Sequence, residues 1–151
     1  MPGAGNLLEF PAMTTAISES VLVPAGTVAT TKGDGQAVDV GGAASRVFLA
    51  TLSITRIIEQ ESLDVSIYGS PDGAAWVAKP IAAFRQEFYT GETPVLLDLT
   101  AHPDVRFVRA HWEMARWGRG TETPLFEFGV TLKPIPAEVL QEVKARTKAT
   151  A

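Results

Sequence analysis

Cysteine is absent from the 151 residues of this chain. Zinc–thiolate sites, iron–sulfur clusters, thiol nucleophiles and disulfide bonds are therefore excluded. The chain also has no excess of positive charge, because 13 basic residues stand against 17 acidic ones and give a net charge of −4. We therefore expect no direct, general binding to nucleic acid and none to an anionic membrane.

Long hydrophobic runs are missing as well. Fully apolar stretches such as residues 47–50 are far shorter than the roughly 20 residues that a membrane-spanning helix needs. The first basic residue is Lys32, so the sequence does not predict the charged start of a signal peptide or an Arg-rich transit peptide. Without cysteine or such a signal, the chain is expected to fold in a reducing cytoplasm.

The composition is that of a globular protein, with 46% hydrophobic and 20% charged residues. The length predicts one domain. The residue patterns divide the chain into an N-terminal arm at residues 1–19, a β-rich domain at residues 20–133 and a C-terminal helical tail at residues 134–151.

A period of two in hydrophobicity dominates the central segment. In residues 62–68, Leu63, Val65 and Ile67 share one predicted strand face, and polar residues and Tyr68 share the other. Similar alternation predicts strands near residues 48–54, 95–99, 105–112 and 125–132. Weaker candidates are residues 21–23, 27–31, 37–40, 76–78 and 81–84.

Turn sequences separate these strands. Lys32-Gly33-Asp34-Gly35 favours a hairpin, and Ser70-Pro71-Asp72-Gly73 favours a type I turn. No helical pattern lies between the strands. The sequence therefore predicts an all-β fold, an antiparallel β-sandwich or jelly roll of about eight or nine strands, with a closed barrel as the alternative.

The two ends differ from this domain. Leu7, Leu8 and Phe10 form a short apolar cluster in the arm, which either contacts a neighbouring subunit or folds back on its own domain. Residues 137–146 are mostly strong helix formers and follow Pro136, which suits a first helical position. We therefore predict a short C-terminal helix that docks on the sandwich or on a partner.

Histidine provides little evidence of catalysis. His102 precedes a proline in a predicted turn, and His111 lies in a predicted strand. No HxH or HExxH spacing and no G-x-S-x-G nucleophile turn occurs. We therefore expect neither histidine to be catalytic or metal-bound, and we expect no enzyme and no cofactor.

Carboxylates give equally weak indications of a site. The pairs Glu59/Glu61 and Asp98/Asp104 have the residue types of a glycosidase dyad, but solvated surface acids are the preferred interpretation. Calcium binding is an alternative, because carboxylate oxygens are suitable calcium ligands. No EF-hand pattern supports it. The candidate calcium ligands are Asp34, Asp39 and Asp72.

Aromatic residues are more informative. Trp76 and Trp112 lie in predicted strands and are expected in the core, although together with Trp117, Tyr68 and Tyr89 they could line a sugar-binding face. Trp117 lies between Arg116 and Arg119 in a predicted loop at residues 113–124. That composition is typical of a protein–protein hot spot, although Trp117 could also fold back under its loop.

The order of several short motifs resembles that of small β-sandwich structural proteins of tailed bacteriophages and prophages. The motifs are TKGDGQAVDVG at residues 31–41, LDVSIYGSPDGAAW at 63–76, DVRFVRAHW at 104–112 and PLFEFGV at 124–130. The resemblance covers about residues 27–132. The long charged loop and the C-terminal helix depart from a simple sandwich.

This resemblance implies a non-enzymatic virion component, such as a capsid decoration or tail-associated protein. Its expected partners are further copies of itself and a major capsid or tail protein, and its expected location is the virion, assembled in the host cytoplasm. The expected interface residues are Leu7, Leu8, Phe10, Arg116, Trp117 and Arg119.

A second resemblance is local. The segment from Ser70 to Trp76 is similar to a hairpin of discoidin-like carbohydrate-binding sandwiches. It implies an alternative function, a carbohydrate- or surface-binding module. Its Asp72 is expected to cap the turn, while Trp76 returns to the core.

Overall fold

The computed structural model describes residues 19–117 and 123–136. These residues form nine strands and no helix. The strands are β1 (Ser20–Ala29), β2 (Gly33–Asp34), β3 (Val38–Asp39), β4 (Val47–Ile57), β5 (Glu61–Ser70), β6 (Ala82–Ala83), β7 (Gly91–Asp98), β8 (Phe107–Arg116) and β9 (Phe126–Pro134).

The strands form two antiparallel sheets. One has four strands in the order β1-β9-β4-β7, and the other has five, in the order β2-β8-β5-β6 with β3 also paired to β8. Chain connections pass from one sheet to the other after β1, β3, β4, β6, β7 and β8. The predicted all-β antiparallel sandwich is therefore confirmed.

The core lies between the sheets and contains apolar side chains from both. Leu63, Val65 and Ile67 of β5 are buried, as the period-two pattern predicts. Phe128 of β9 meets Trp112 of β8 with ring centroids 5.3 Å apart and the planes nearly perpendicular. This edge-to-face contact joins the two sheets.

A long ladder between β5 and β8 positions the outer face of the five-stranded sheet. The two strands pair without interruption from Phe107 opposite Ser70 to Arg116 opposite Glu61. Because side chains alternate across a strand, Tyr68 lies on the outer face beside the polar residues of β8. The outer face therefore holds an ordered row of polar and aromatic groups.

Some local predictions are wrong. Residues 32–35 do not form a hairpin turn, because Gly33 and Asp34 are strand β2 and pair with Trp112 and His111. Residues 76–78 form no strand, and Trp76 is partly exposed rather than in the core. The chain leaves the sheet at Ser70, so Trp76 reaches the outer face instead of the interior.

The two ends of the chain were predicted to form an arm and a helix. Residues 1–18 of the arm lie outside the described residues, as do the predicted helix at residues 137–146 and the rest of the tail to residue 151. The C-terminal helix is not supported: the described residues contain no helix, and β9 extends to Pro134. Within the described ranges there is thus no helix long and apolar enough to cross a bilayer.

Candidate functional site

Only part of the predicted interface can be placed. Leu7, Leu8, Phe10 and Arg119 lie outside the described residues. Arg116 is the last residue of β8 and is half-buried, so the predicted loop at residues 113–124 begins later than expected. The strand continues through Arg116 because its partner, β5, extends to Glu61.

Trp117 lies at the surface beside two other aromatic residues. Its side chain is 57% exposed, and its ring is 5.9 Å from that of Phe88 in an edge-to-face arrangement. Phe88 in turn lies 6.4 Å from Tyr89, which is 76% exposed. We call Phe88, Tyr89 and Trp117 the Trp117 cluster.

Backbone contacts hold both sides of the Trp117 cluster at one end of the five-stranded sheet. The amide of Trp117 donates to the carbonyl of Gln60 at 3.0 Å. Glu87, directly before Phe88, exchanges backbone hydrogen bonds with Leu63 of β5. The cluster is therefore an exposed aromatic surface on a well-anchored backbone. The alternative, in which Trp117 folds back under its loop, does not fit this exposure.

A second feature lies on the outer face of the same sheet. A pocket of about 250 Å³ is lined by Asp34, Tyr68, Trp76, Val77, Arg109 and His111. We call it the Tyr68 pocket. Tyr68 and Arg109 are direct cross-strand neighbours, and Asp34 of β2 is paired with His111 of β8.

The turn after β5 brings Trp76 to this pocket. The hydroxyl of Ser70 accepts a hydrogen bond from the amide of Gly73 at 2.8 Å. Asp72 accepts from the amides of Ala74 and Ala75 at 2.8 and 2.9 Å. The amides of Ala75 and Ala74 lower the pKa of the Asp72 carboxyl below its ordinary value. The predicted capping role of Asp72 is therefore confirmed.

Arg109 organises the pocket wall. Its guanidinium carbon lies 4.3 Å from the centroid of the Trp76 ring, which is a cation–π contact. Its Nε lies 3.8 Å from an oxygen of Asp34. The arginine thus links the ring that follows the turn to the carboxylate on strand β2.

His111 bridges two carboxylates at the pocket edge. Its Nδ1 lies 2.8 Å from an oxygen of Asp34, and its Nε2 lies 2.6 Å from an oxygen of Glu113. Partial burial opposes the charge, but the hydrogen bonds to Glu113 and Asp34 outweigh it and raise the pKa of His111. The edge of the Tyr68 ring lies against this imidazole, with centroids 5.8 Å apart.

The two histidines lie in different parts of the structure and have different hydrogen-bond partners. His102 lies in a loop, where its carbonyl accepts a hydrogen bond from Arg46 at 2.6 Å. Both ring nitrogens of His111 contact carboxylates, and neither contacts His102 or a hydroxyl nucleophile in the described part of the chain. The structure therefore does not bring the histidines together.

The carboxylates considered as ligands or acids also occupy separate places. Asp39 pairs with Arg106 at 3.1 Å, and Asp34 and Asp72 are engaged as described above. Among residues 19–117 and 123–136, no group of three or more His, Asp or Glu residues is placed to hold a metal ion. Glu61 is only 1% exposed, so the surface-acid interpretation is wrong for that residue.

The Tyr68 pocket was not found from the sequence. Tyr68 and His111 could be assigned to outer strand faces, but nothing in the sequence indicated that Trp76 would lie over Arg109. Two indications were the polar alternation of Arg109, His111 and Glu113, which predicts a shared outward face, and the sugar-binding face considered for Tyr68 and Trp76.

Comparison with known proteins gave no match of any kind. No family model matches the sequence, and no curated protein and no solved structure is significantly similar to the chain.

Proposed function

We propose that this chain is a non-enzymatic structural protein of a virion or virion-like assembly, acting as a capsid decoration protein through subunit contacts. The partners in this proposal are further copies of the chain and a major capsid or tail protein, and assembly takes place in the host cytoplasm. The main support is the Trp117 cluster, and the motif resemblance supplies the virion context.

The Trp117 cluster has the properties of a protein contact. Aromatic rings supply large contact areas and lose little side-chain entropy on binding, so they are enriched at hot spots. Half-buried Arg116 lies directly beside Trp117, and arginine is the cation most often found at such contacts. Three exposed aromatic side chains at one sheet end are costly to leave in water.

The sheet edges favour this cluster over simple strand addition. The longer edge strands of the four-stranded sheet are β1 and β7, and each contains a proline, Pro24 and Pro94. Proline lacks an amide donor and protects an edge against another strand. The edges of the other sheet are two-residue strands.

The N-terminal arm is a second element of the proposal. Residues 1–19, with Leu7, Leu8 and Phe10, are proposed to contact a different chain. A chain lacking residues 1–19 should then keep its thermal unfolding transition and show weakened assembly. Normal assembly of the truncated chain would remove the arm from the proposal.

Sedimentation velocity of the full chain at increasing concentrations tests self-association. We expect oligomers in the wild type and a loss of association of about 30-fold or more in Trp117→Ala, the size of a hot-spot effect of about 2 kcal/mol. Val28→Ala is the matched control, since Val28 is 48% exposed on the other sheet. A wild type that stays monomeric at every concentration contradicts self-association.

The virion context needs its own test. Particles should be purified by density gradient from cells that encode the chain, and their proteins identified by mass spectrometry. Peptides of this chain should sediment with the particles and with their capsid protein. Their absence from particles, while the soluble fraction contains them, would contradict the decoration role.

A further inference from the structure

We propose that the Tyr68 pocket binds one ring of a neutral saccharide. The pocket combines an aromatic wall, a carboxylate and a guanidinium within one depression on the outer face of the five-stranded sheet. This inference goes beyond the assembly role, because the pocket and the Trp117 cluster share no residue.

The size of the pocket limits the ligand. Its volume of about 250 Å³ lies just below the range of about 300–1,000 Å³ that accommodates drug-sized molecules. A single sugar ring suits that space, and further rings of an oligosaccharide would extend along the open sheet face.

The polar groups match the hydroxyls of a sugar, which both donate and accept. The carboxylate of Asp34 is an acceptor, and its side chain is 44% exposed. The guanidinium of Arg109 is a donor group; its Nε is buried and has no hydrogen-bond partner among the described residues. The neighbouring Asp34 oxygen, at 3.8 Å from that nitrogen, is beyond hydrogen-bonding distance.

The apolar part of the pocket matches the C–H face of a sugar. The rings of Tyr68 and Trp76 are partly exposed, and Val77 beside them is exposed. Arg109 holds the Trp76 ring through the cation–π contact, and His111 supports the Tyr68 ring edge-on. An aromatic wall that is already positioned loses little freedom when a ligand binds.

The charge balance favours a neutral ligand over an anion. The positive charge of Arg109 is opposed by Asp34 in the pocket itself. The imidazole of His111 likewise lies between the carboxylates of Asp34 and Glu113. An acidic sugar or a phosphate would meet the Asp34 carboxylate in the pocket itself, with Glu113 next to His111, so repulsion would offset its attraction to Arg109.

Saturation-transfer NMR on the full chain tests the proposal. The probes are glucose, galactose, mannose and N-acetylglucosamine, with glucuronate as the anionic comparison. We expect saturable binding of at least one neutral sugar. Asp34→Asn and Tyr68→Ala should each weaken that binding by about tenfold or more, while Trp117→Ala should leave it unchanged.

A control variant and a melting experiment distinguish loss of the binding site from loss of the fold. Tyr68→Phe removes only the hydroxyl and retains the ring of the aromatic wall, so it should keep sugar binding and serves as the matched control for Tyr68→Ala. Circular dichroism melting of every variant separates loss of the fold from loss of the site. No saturable binding of any neutral sugar, binding of glucuronate alone, or loss of binding in Trp117→Ala would overturn the proposal. The last variant also separates this test from assembly, which depends on Trp117.

Discussion

The buried carboxylate of Glu61 accepts hydrogen bonds from the backbone amides of Ile58 and Leu125, at 3.0 and 2.8 Å. Ile58 lies in the connection between β4 and β5, and Leu125 lies directly before β9. The Glu61 side chain therefore links the connection between β4 and β5 to the residue that precedes β9. It satisfies amides that no strand partner reaches.

Replacing Glu61 by alanine should lower the free energy of unfolding by about 1–3 kcal/mol, because at least two amides lose their acceptor in a largely dry region. Urea denaturation measures this change. Glu59→Ala is the matched control, since Glu59 is exposed two residues away and should change stability by less than about 0.5 kcal/mol. Equal effects of the two substitutions would show that the Glu61 hydrogen bonds add nothing to stability.

Gly129 in β9 lies against the backbone of β1. A Cβ at this position would lie 2.8 Å from the Cα of Ala25 and 3.2 Å from the carbonyl oxygen of Val23. Backbone atoms cannot move aside as a flexible side chain can, so Gly129→Ala should destabilise the fold by about 1–3 kcal/mol. The β1–β9 register shifts on either side of Val130, next to this residue.

Gly42→Ala is the control for Gly129→Ala, because a Cβ at Gly42 meets no atom within 4 Å. Its melting temperature should equal that of the wild type. A tolerated alanine at residue 129 would mean that β1 is free to move away from β9.

Trp112 should tolerate phenylalanine only partly. Its indole nitrogen donates to the carbonyl of Thr31 at 3.0 Å, and its ring packs on Phe128 in the opposite sheet. Trp112→Phe keeps an aromatic ring but loses the donor and some volume, so we expect a loss of about 1–2 kcal/mol in chemical denaturation. Trp117→Phe changes an exposed ring and should leave the denaturation midpoint unchanged.

The His111 bridge predicts a pH dependence of stability. The folded pKa of His111 is raised above its ordinary value of 6.5, so the protonated form is the stabilising one. Its contribution is fully present below the unfolded pKa and is lost as pH rises through the folded pKa. The difference in melting temperature between wild type and His111→Gln should therefore be larger at about pH 6 than at about pH 9. A gap that stays constant or widens at high pH would contradict this bridge.

The strands were largely predictable because each has one face in the core. In β5 the alternation of Leu63, Val65 and Ile67 with polar residues has the two-residue period of a strand. The weak candidate at residues 21–23 and most of the one at residues 27–31 belong to the single strand β1, which ends at Ala29. Pro24 and Gly26 interrupt the strand pattern in the sequence. In the structure β1 pairs with β9 on both sides of these residues, with a register shift between.

The candidate sites were predictable only in part. The sequence left open whether Trp117 would be exposed or folded under its loop, and the structure shows it 57% exposed. The association of Trp117 with Phe88 is not encoded locally, because the two residues are 29 positions apart in the chain and come together through the pairing of Glu87 with Leu63. The location of Trp76 depends likewise on Arg109, which lies on a different strand.

The sequence by itself determined the all-β class, the polar and apolar faces of the main strands and the capped turn at Asp72, because these depend on residues close together in the chain. Tertiary structure decided which strands pair, that Glu61 is buried, and that Asp34, Tyr68, Trp76, Arg109 and His111 share one pocket. The physical reason is distance along the chain. Local patterns set the direction of each side chain, whereas strand pairing brings distant residues into contact.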